Sequence, residues 1–407
     1  MSNPLVTRFL VAVGLSLVQF VAAIPWLMVL ERGELRVRLR NPKFWGAALG
    51  AVLGLGVAIG LLMTIVPSRD AQENFGRLYA SVLHAQLAAD FCVLVFFVLL
   101  LIWPKGAAVG LSAFREGLRQ PMFWYILGGA ALLLTISPFI PYFTFGEDYL
   151  MLKELGFDIV MLAAVLFGVL ASSMSISEEI EGRTAITLMS KPVSRRQFLL
   201  GKYLGILMAG LVMTSLLGWY FDWVLIYKRW YERTDPVPFP VEITNLLTSL
   251  FSSGEGIDVC RGIALWTLDV GEVLPGLVLG FCQLMVLLAI AVALSTRLPM
   301  IVNLATCLLV YFLGHLSPVL VEVSQRRLDT DRTGSPVFKM VNFVAQLFDT
   351  ILPALKNFTA APTLFTDTQA TMAQLYAYVG QVVGYALLYT TIALLFGLIL
   401  FEDRDLA

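Results

Sequence analysis

The sequence predicts an all-α fold, a polytopic membrane bundle of about nine transmembrane helices, and three observations predict it. Of the 407 residues, 58% are hydrophobic and only 14% charged, against roughly 25% charged in an ordinary soluble domain. Mean hydropathy is +0.81. Apolar runs near the length of about 20 residues that a bilayer core demands recur at 9–30, 45–66, 85–103, 123–145, 157–175, 203–226, 272–294, 299–321 and 373–401. Helices are expected throughout, because lipid offers no partner to an unpaired backbone and the runs are about twice the length of a barrel strand.

The first run follows Arg8 and contains Ala22 and Ala23, features it shares with a secretory signal. It is longer than a signal's apolar region, and a charged stretch, Glu31 to Arg40, closes it as it would a membrane anchor. A retained span is therefore expected. The loop after it carries Arg32, Arg36, Arg38, Arg40 and Lys43, the loop after the third carries Lys105, Arg115 and Arg119, and the loop after the fifth carries Arg183, Lys191, Arg195, Arg196 and Lys202. Alternation of spans puts all three clusters on one side, and short basic loops stay cytoplasmic. The expected topology has the N-terminus outside, the C-terminus cytoplasmic, and loops 67–84, 146–156, 227–271 and 322–372 outside the cell membrane.

Glycines at four-residue spacing, Gly46, Gly50 and Gly54, then Gly56 and Gly60, then Gly276 and Gly280, clear a helix face for close packing. In the outer region 338–358, Val344, Leu347, Phe348, Ile351 and Leu355 fall at helical spacing. They predict a helix lying on the outer leaflet or plugging the bundle. Trp230, Tyr231 and Trp266 near the ends of 227–271 suit an aromatic belt.

With four cysteines lacking paired spacing and only two histidines, His84 and His315, neither a disulfide framework nor a histidine-based metal centre is expected. No carboxylate pair, nucleophile with a base or ligand cluster falls within one loop, so an enzyme is not expected. Gly201-Lys202 is followed by Tyr203 and lacks an upstream glycine partner, so it makes no phosphate cradle.

The most informative stretch is 177–205, S-E-E-I-E-G-R-T-A-I-T-L-M-S-K-P-V-S-R-R-Q-F-L-L-G-K-Y-L-G. Glu178, Glu179 and Glu181 favour the first turn of a short helix through its dipole. Gly182 allows a bend and Pro192 stops the helix near Lys191. Ala185, Ile186, Leu188 and Met189 present an apolar knob. Ser194 is a good N-cap for a second helix that carries Arg195, Arg196 and Lys202 to the headgroup level. On physics alone a positive-inside helical hairpin explains the stretch equally well.

This stretch resembles the cytoplasmic coupling segment of ABC-2 type permeases, in its acidic-Gly-Arg183-Thr184 opening, its Lys191-Pro192-Val-Ser-Arg block and the Gly201-Lys202 that opens the next span. Residues 108–122 form an amphipathic segment with Leu111, Phe114 and Leu118 on one side and Arg115, Glu116 and Arg119 on the other, which is similar to the interfacial elbow helix before that family's core. The ending F-E-D-R-D-L is similar to the family's short charged tail. The resemblance covers 108–407. It implies an elbow helix (105–122) and a six-helix core (123–407), and leaves an N-terminal three-helix membrane region (1–104) outside the six-helix pattern. It also implies a cytoplasmic ABC ATPase subunit docking near 178–202, a second permease copy or a paralogue, lipid as the surrounding partner and no nucleic acid. ATP and Mg would then belong to the ATPase subunit, with no cofactor on this chain. The expected role is the permease subunit of an ABC-2 type exporter. In the coupling segment Glu178, Glu181, Gly182 and Arg183 would shape the turn, Leu188 and Met189 would plug into the partner, and Arg195 and Arg196 would hold the loop at the membrane.

Two other readings remain open. An ion-coupled transporter needs polar groups at mid-membrane, for which Gln283 and Asn303 are the modest candidates, since Asp90, Asp158, Asp222 and Glu272 lie near span ends. A membrane scaffold whose loops recruit partners needs no such groups.

Overall fold

The computed structural model describes residues 4–30, 40–65, 68–141, 148–177, 179, 193–232, 239–250, 256–330, 336–359 and 372–402. Among them the chain is all helix, without strands. In order these are α1 (Pro4–Leu30), α2 (Pro42–Ile65), α3 (Arg69–Ile102), α4 (Pro104–Arg119), α5 (Pro121–Ile136), α6 (Asp148–Ser172), α7 (Arg195–Glu232), α8 (Val241–Leu250), α9 (Ile257–Ser295), α10 (Met300–Thr330), α11 (Pro336–Ile351) and α12 (Met372–Glu402). Nine of the described helices are long and apolar enough to cross a membrane, and they coincide with the nine expected runs.

The ends differ from the expectation. Helices α3, α7 and α9 run for 34, 38 and 39 residues, or about 51–59 Å against a hydrocarbon core of about 30 Å. Much of what hydropathy marks as outer loop is helix continued past the apolar run. Side-chain pairing explains the continuation. Lys228 pairs with Glu232 one turn on (2.5 Å), and Arg229, itself mostly buried, reaches Asp269 (2.7 Å) and Glu272 (3.5 Å) on α9.

By packing the chain forms two compact units, residues 1–98 with 226–273, and residues 99–225 with 274–407. In the first unit, α1 packs on α2 around Val11, Ala12, Leu15, Ile59 and Met63, with Gly56 and Gly60 set against Val13 and Phe9. The Gln19 and Gln86 amides join α1 to α3, and the Tyr79 hydroxyl donates to the Leu15 carbonyl (2.7 Å). Helix α3 crosses α9 backbone to backbone. A Cβ on Gly76 would strike the Val259 carbonyl oxygen, and one on Gly262 would strike the Glu73 carbonyl oxygen. Arg261 to Glu73 (3.6 Å) and Arg69 to Asp258 (3.6 Å) flank that crossing. The other glycine series, Gly46, Gly50 and Gly54, meets nothing within 4 Å.

In the second unit α6, α7 and α9 carry most of the core. Phe123, Phe167, Phe198, Phe221, Leu284 and Leu288 are buried there. Gly276 and Gly280 face Phe157 and Met161 of α6. Helix α11 is the expected helix of the region 338–358. It runs antiparallel along α10, because Ser324 Oγ donates to Asn342 Oδ1 (2.9 Å) and Ser317 Oγ to Asp349 Oδ1 (3.3 Å). Its polar side thus turns inward, while Met340, Phe343, Leu347 and Ile351 stay exposed. The 3-10 turn Leu355–Phe358 after it buries Leu355 and Phe358. Three tyrosines on one face of α12 tie it down. Tyr385 accepts from the Ala354 amide (3.0 Å), Tyr389 donates to the Ile351 carbonyl (3.1 Å) and Tyr378 to the Asn357 carbonyl (2.8 Å).

Candidate coupling site at the start of helix α7

Of the residues expected in the coupling segment, Glu178, Glu181, Gly182, Arg183, Thr184, Leu188, Met189, Lys191 and Pro192 lie outside the described residues. Glu179, Arg195, Arg196, Gly201 and Lys202 lie within them and, with the elbow residues, form two anchors at the two ends of the segment.

The first anchor is built on Lys202. Its side chain is 6% exposed, a costly place for an ammonium unless it is paired and hydrogen-bonded. Its Nζ donates to Glu179 Oε1 (2.5 Å), to Ser175 Oγ (2.7 Å) and to Glu116 Oε2 (3.3 Å), filling the three donor directions of the group. These partners come from three elements: Glu116 from α4, Ser175 from the end of α6, and Glu179 just beyond it. The end of α6 is a π-helical turn, Ser173–Ser177, which widens the ladder and frees carbonyls. Serine hydroxyls and Asn303 make the side-chain bonds at the turn. Ser173 Oγ donates to the Val169 carbonyl (2.8 Å), Asn303 Nδ2 donates to Ser173 Oγ (2.9 Å), and Ser177 Oγ donates to the Leu298 carbonyl (3.2 Å). Asn303 is thereby committed to a structural bond.

Backbone proximity brings Glu116 within reach of Lys202. A Cβ on Gly201 would lie 2.7 Å from the Gly106 carbonyl oxygen, and one on Gly205 would strike the Gly110 carbonyl oxygen. Glycine on both helices is what lets α4 lie on α7 at this separation. Farther along, Gly117 meets Ala209 and Phe167 at ordinary contact distance. Helix α4 therefore has three faces. Gly106, Gly110, Ala113 and Gly117 are buried; Leu111, Phe114 and Leu118 form a half-buried apolar flank; Lys105, Arg115 and Arg119 are exposed. The two-sided amphipathic pattern expected for the elbow becomes three-sided, because Glu116 turns inward to Lys202.

The second anchor is built on Arg195. Ser194 and Gln197 make a reciprocal capping box: the Gln197 amide donates to Ser194 Oγ (3.2 Å) and the Ser194 amide to Gln197 Oε1 (3.1 Å). The cap starts α7 at Arg195, whose Nη1 donates to the carbonyls of Phe401 (2.7 Å) and Glu402 (2.9 Å), with the guanidinium over the Phe401 ring. Arg297, from the turn between α9 and α10, donates Nε to the Leu400 carbonyl (2.9 Å). Two arginines thus cap the last turn of α12, where unsatisfied carbonyls and the negative dipole end favour cations. Arg196 adds an exposed ion pair with Glu402 at 3.9 Å, worth little by itself.

The sequence of one protein family, described as ABC-2 family transporter protein, matches this chain over residues 28–406. The chain belongs to that family. The match begins ahead of 108, so the second and third spans fall within the family's extent, a wider reach than the motifs alone marked out. A search of curated proteins finds no match. Membership in the ABC-2 family makes this chain a multi-pass membrane protein and an ABC permease. Ser175, Ser177, Arg297 and Phe401 were not singled out in the sequence. The serine-rich run 172–177 at the end of a span was the one visible signal for the first two. Phe401 opens the charged ending F-E-D-R-D-L, which gave no sign of its contact with Arg195, and nothing local marks Arg297.

Proposed function

We propose that this ABC-2 family chain is the permease subunit of an exporter driven by a separate cytoplasmic ATPase, which docks on residues 178–194. That ATPase holds the ATP and Mg, and a second copy of this chain or a paralogue completes the pathway. The observation that carries the reading is the anchoring of both ends of this segment: Glu179 on Lys202, and Arg195 on the last turn of α12. A push on a segment held at both ends is delivered to α4, α6, α7 and α12 together. For the push to drive a change, the docked partner must bind the two states of the permease with different affinity. In this reading Leu188 and Met189 enter the partner, and the basic loops keep the site cytoplasmic with the N-terminus outside.

The test is purification of the tagged full chain in mild detergent, followed by mass spectrometry for a P-loop ATPase. The wild type is expected to bring one down, and Leu188→Asp with Met189→Asp to lose it while remaining monodisperse. Absence of any ATPase with the wild type, even after cross-linking in intact membranes, would refute the reading and favour a scaffold.

A further inference from the structure

We infer that α4 is a binding surface for anionic phospholipid headgroups, with Lys105, Arg115 and Arg119 as the residues that grip them. Those three side chains are exposed, and lie on the side of the helix opposite the glycine face that packs on α7. None of them makes an ion pair among the described residues. The one acidic residue of α4, Glu116, is engaged by Lys202, so the three exposed basic residues outweigh it on the outward side of the helix. Beside this face runs the apolar flank of Leu111, Phe114 and Leu118, and a helix with such neighbouring faces lies at the boundary of headgroups and acyl chains. The next helix opens with Trp124 and Tyr125, 57% and 79% exposed, amphipathic rings that suit the same depth. The Trp124 indole N–H donates to the Leu118 carbonyl (3.1 Å), which holds the two helices at one level. The occupant is a lipid surface. Along α4 the basic residues spread over about 21 Å, too far for one small anion, whereas a row of headgroups matches that spread.

The inference does not depend on the ATPase. The full chain is reconstituted in phosphatidylcholine vesicles with trace spin-labelled phosphatidylglycerol or spin-labelled phosphatidylcholine, and electron paramagnetic resonance gives the ratio of their association with the protein. Each basic residue in contact favours an anionic lipid by about fivefold, which averages over the whole perimeter to an expected two- to threefold preference in the wild type. The triple variant Lys105→Gln, Arg115→Gln, Arg119→Gln is expected to bring the ratio close to one, and Arg326→Gln, a control far from α4 in the chain, to leave it unchanged. Three results would overturn the inference: no preference in the wild type, preference retained in the triple variant, or competition by millimolar inorganic phosphate, which would mark a discrete anion pocket.

Discussion

Replacing Lys202 with methionine removes an ammonium shared by Glu116 and Glu179, and the loss can be sized from the three exposures. Taking one partner from a fully buried pair costs about 3–5 kcal/mol, because the charge left behind has no compensation. Glu116 is 42% exposed and recovers water, whereas Glu179 is 27% exposed and recovers less. The penalty should therefore fall to about 2–3 kcal/mol. The decisive experiment is the cycle with Glu179→Gln, read as unfolding midpoints of the purified full chain in mixed micelles. Lys202→Met is expected to be the least stable, and the double variant to recover part of the loss, with a coupling of about 1–3 kcal/mol. Additive single effects, or a Lys202→Met chain as stable as the wild type, would show that the cluster is not a linked unit and refute the reasoning.

The glycine contact between α4 and α7 makes a second expectation. Gly205→Ala places a methyl against the Gly110 carbonyl oxygen, where only backbone can yield, and should cost about 1–3 kcal/mol, whereas Gly128→Ala, in open space, should leave the unfolding midpoint unchanged. At the second anchor, Arg195→Ala should raise hydrogen exchange in the last turn of α12, and Arg195→Lys should restore only part of the protection, since an ammonium lacks the guanidinium fork. In the first unit, Gly262→Ala should separate α9 from α3 and open the segment near Glu73 to proteolysis, while cleavage near α4 stays as in the wild type.

The nine spans were legible because lipid imposes one rule on every residue of a span, and a run of apolar residues obeys it wherever it sits in the chain. The ends of α7 and α9 were not, because they depend on Arg229 meeting Asp269, a pair separated by 40 positions. The start of α7 was legible, since Ser194 and Gln197 form a local capping signal. Spacing located only some of the packing glycines: Gly56, Gly60, Gly276 and Gly280 do meet neighbouring helices. Gly46, Gly50 and Gly54 form the most regular series and touch nothing, while Gly201 and Gly205 meet α4 through Gly106 and Gly110. The motif around Gly201 and Lys202 was visible in the sequence. Its internal role was not, because Glu116 is 86 positions away and Phe401 is 206 from Arg195.

The two anchors are not independent in space. Arg195, Phe198 and Lys202 stand at i, i+3 and i+7, one stripe along the first two turns of α7, about 10 Å from end to end. Phe198 fills the stripe between the charges, fully buried with its ring 6.0 Å from that of Phe401, and the Lys202 ammonium lies 6.0 Å from the Phe198 ring. A rotation of this short stretch must therefore strain both the Glu116 contact and the α12 cap. Phe198→Ala, which touches neither charge-assisted bond, should weaken both anchors together: exchange should rise in the last turn of α12 and in α4 around Glu116 in the same variant. A rise confined to α12 would mean that the anchors act separately, and that a displacement of residues 178–194 reaches α4 through Glu179 and Lys202 alone.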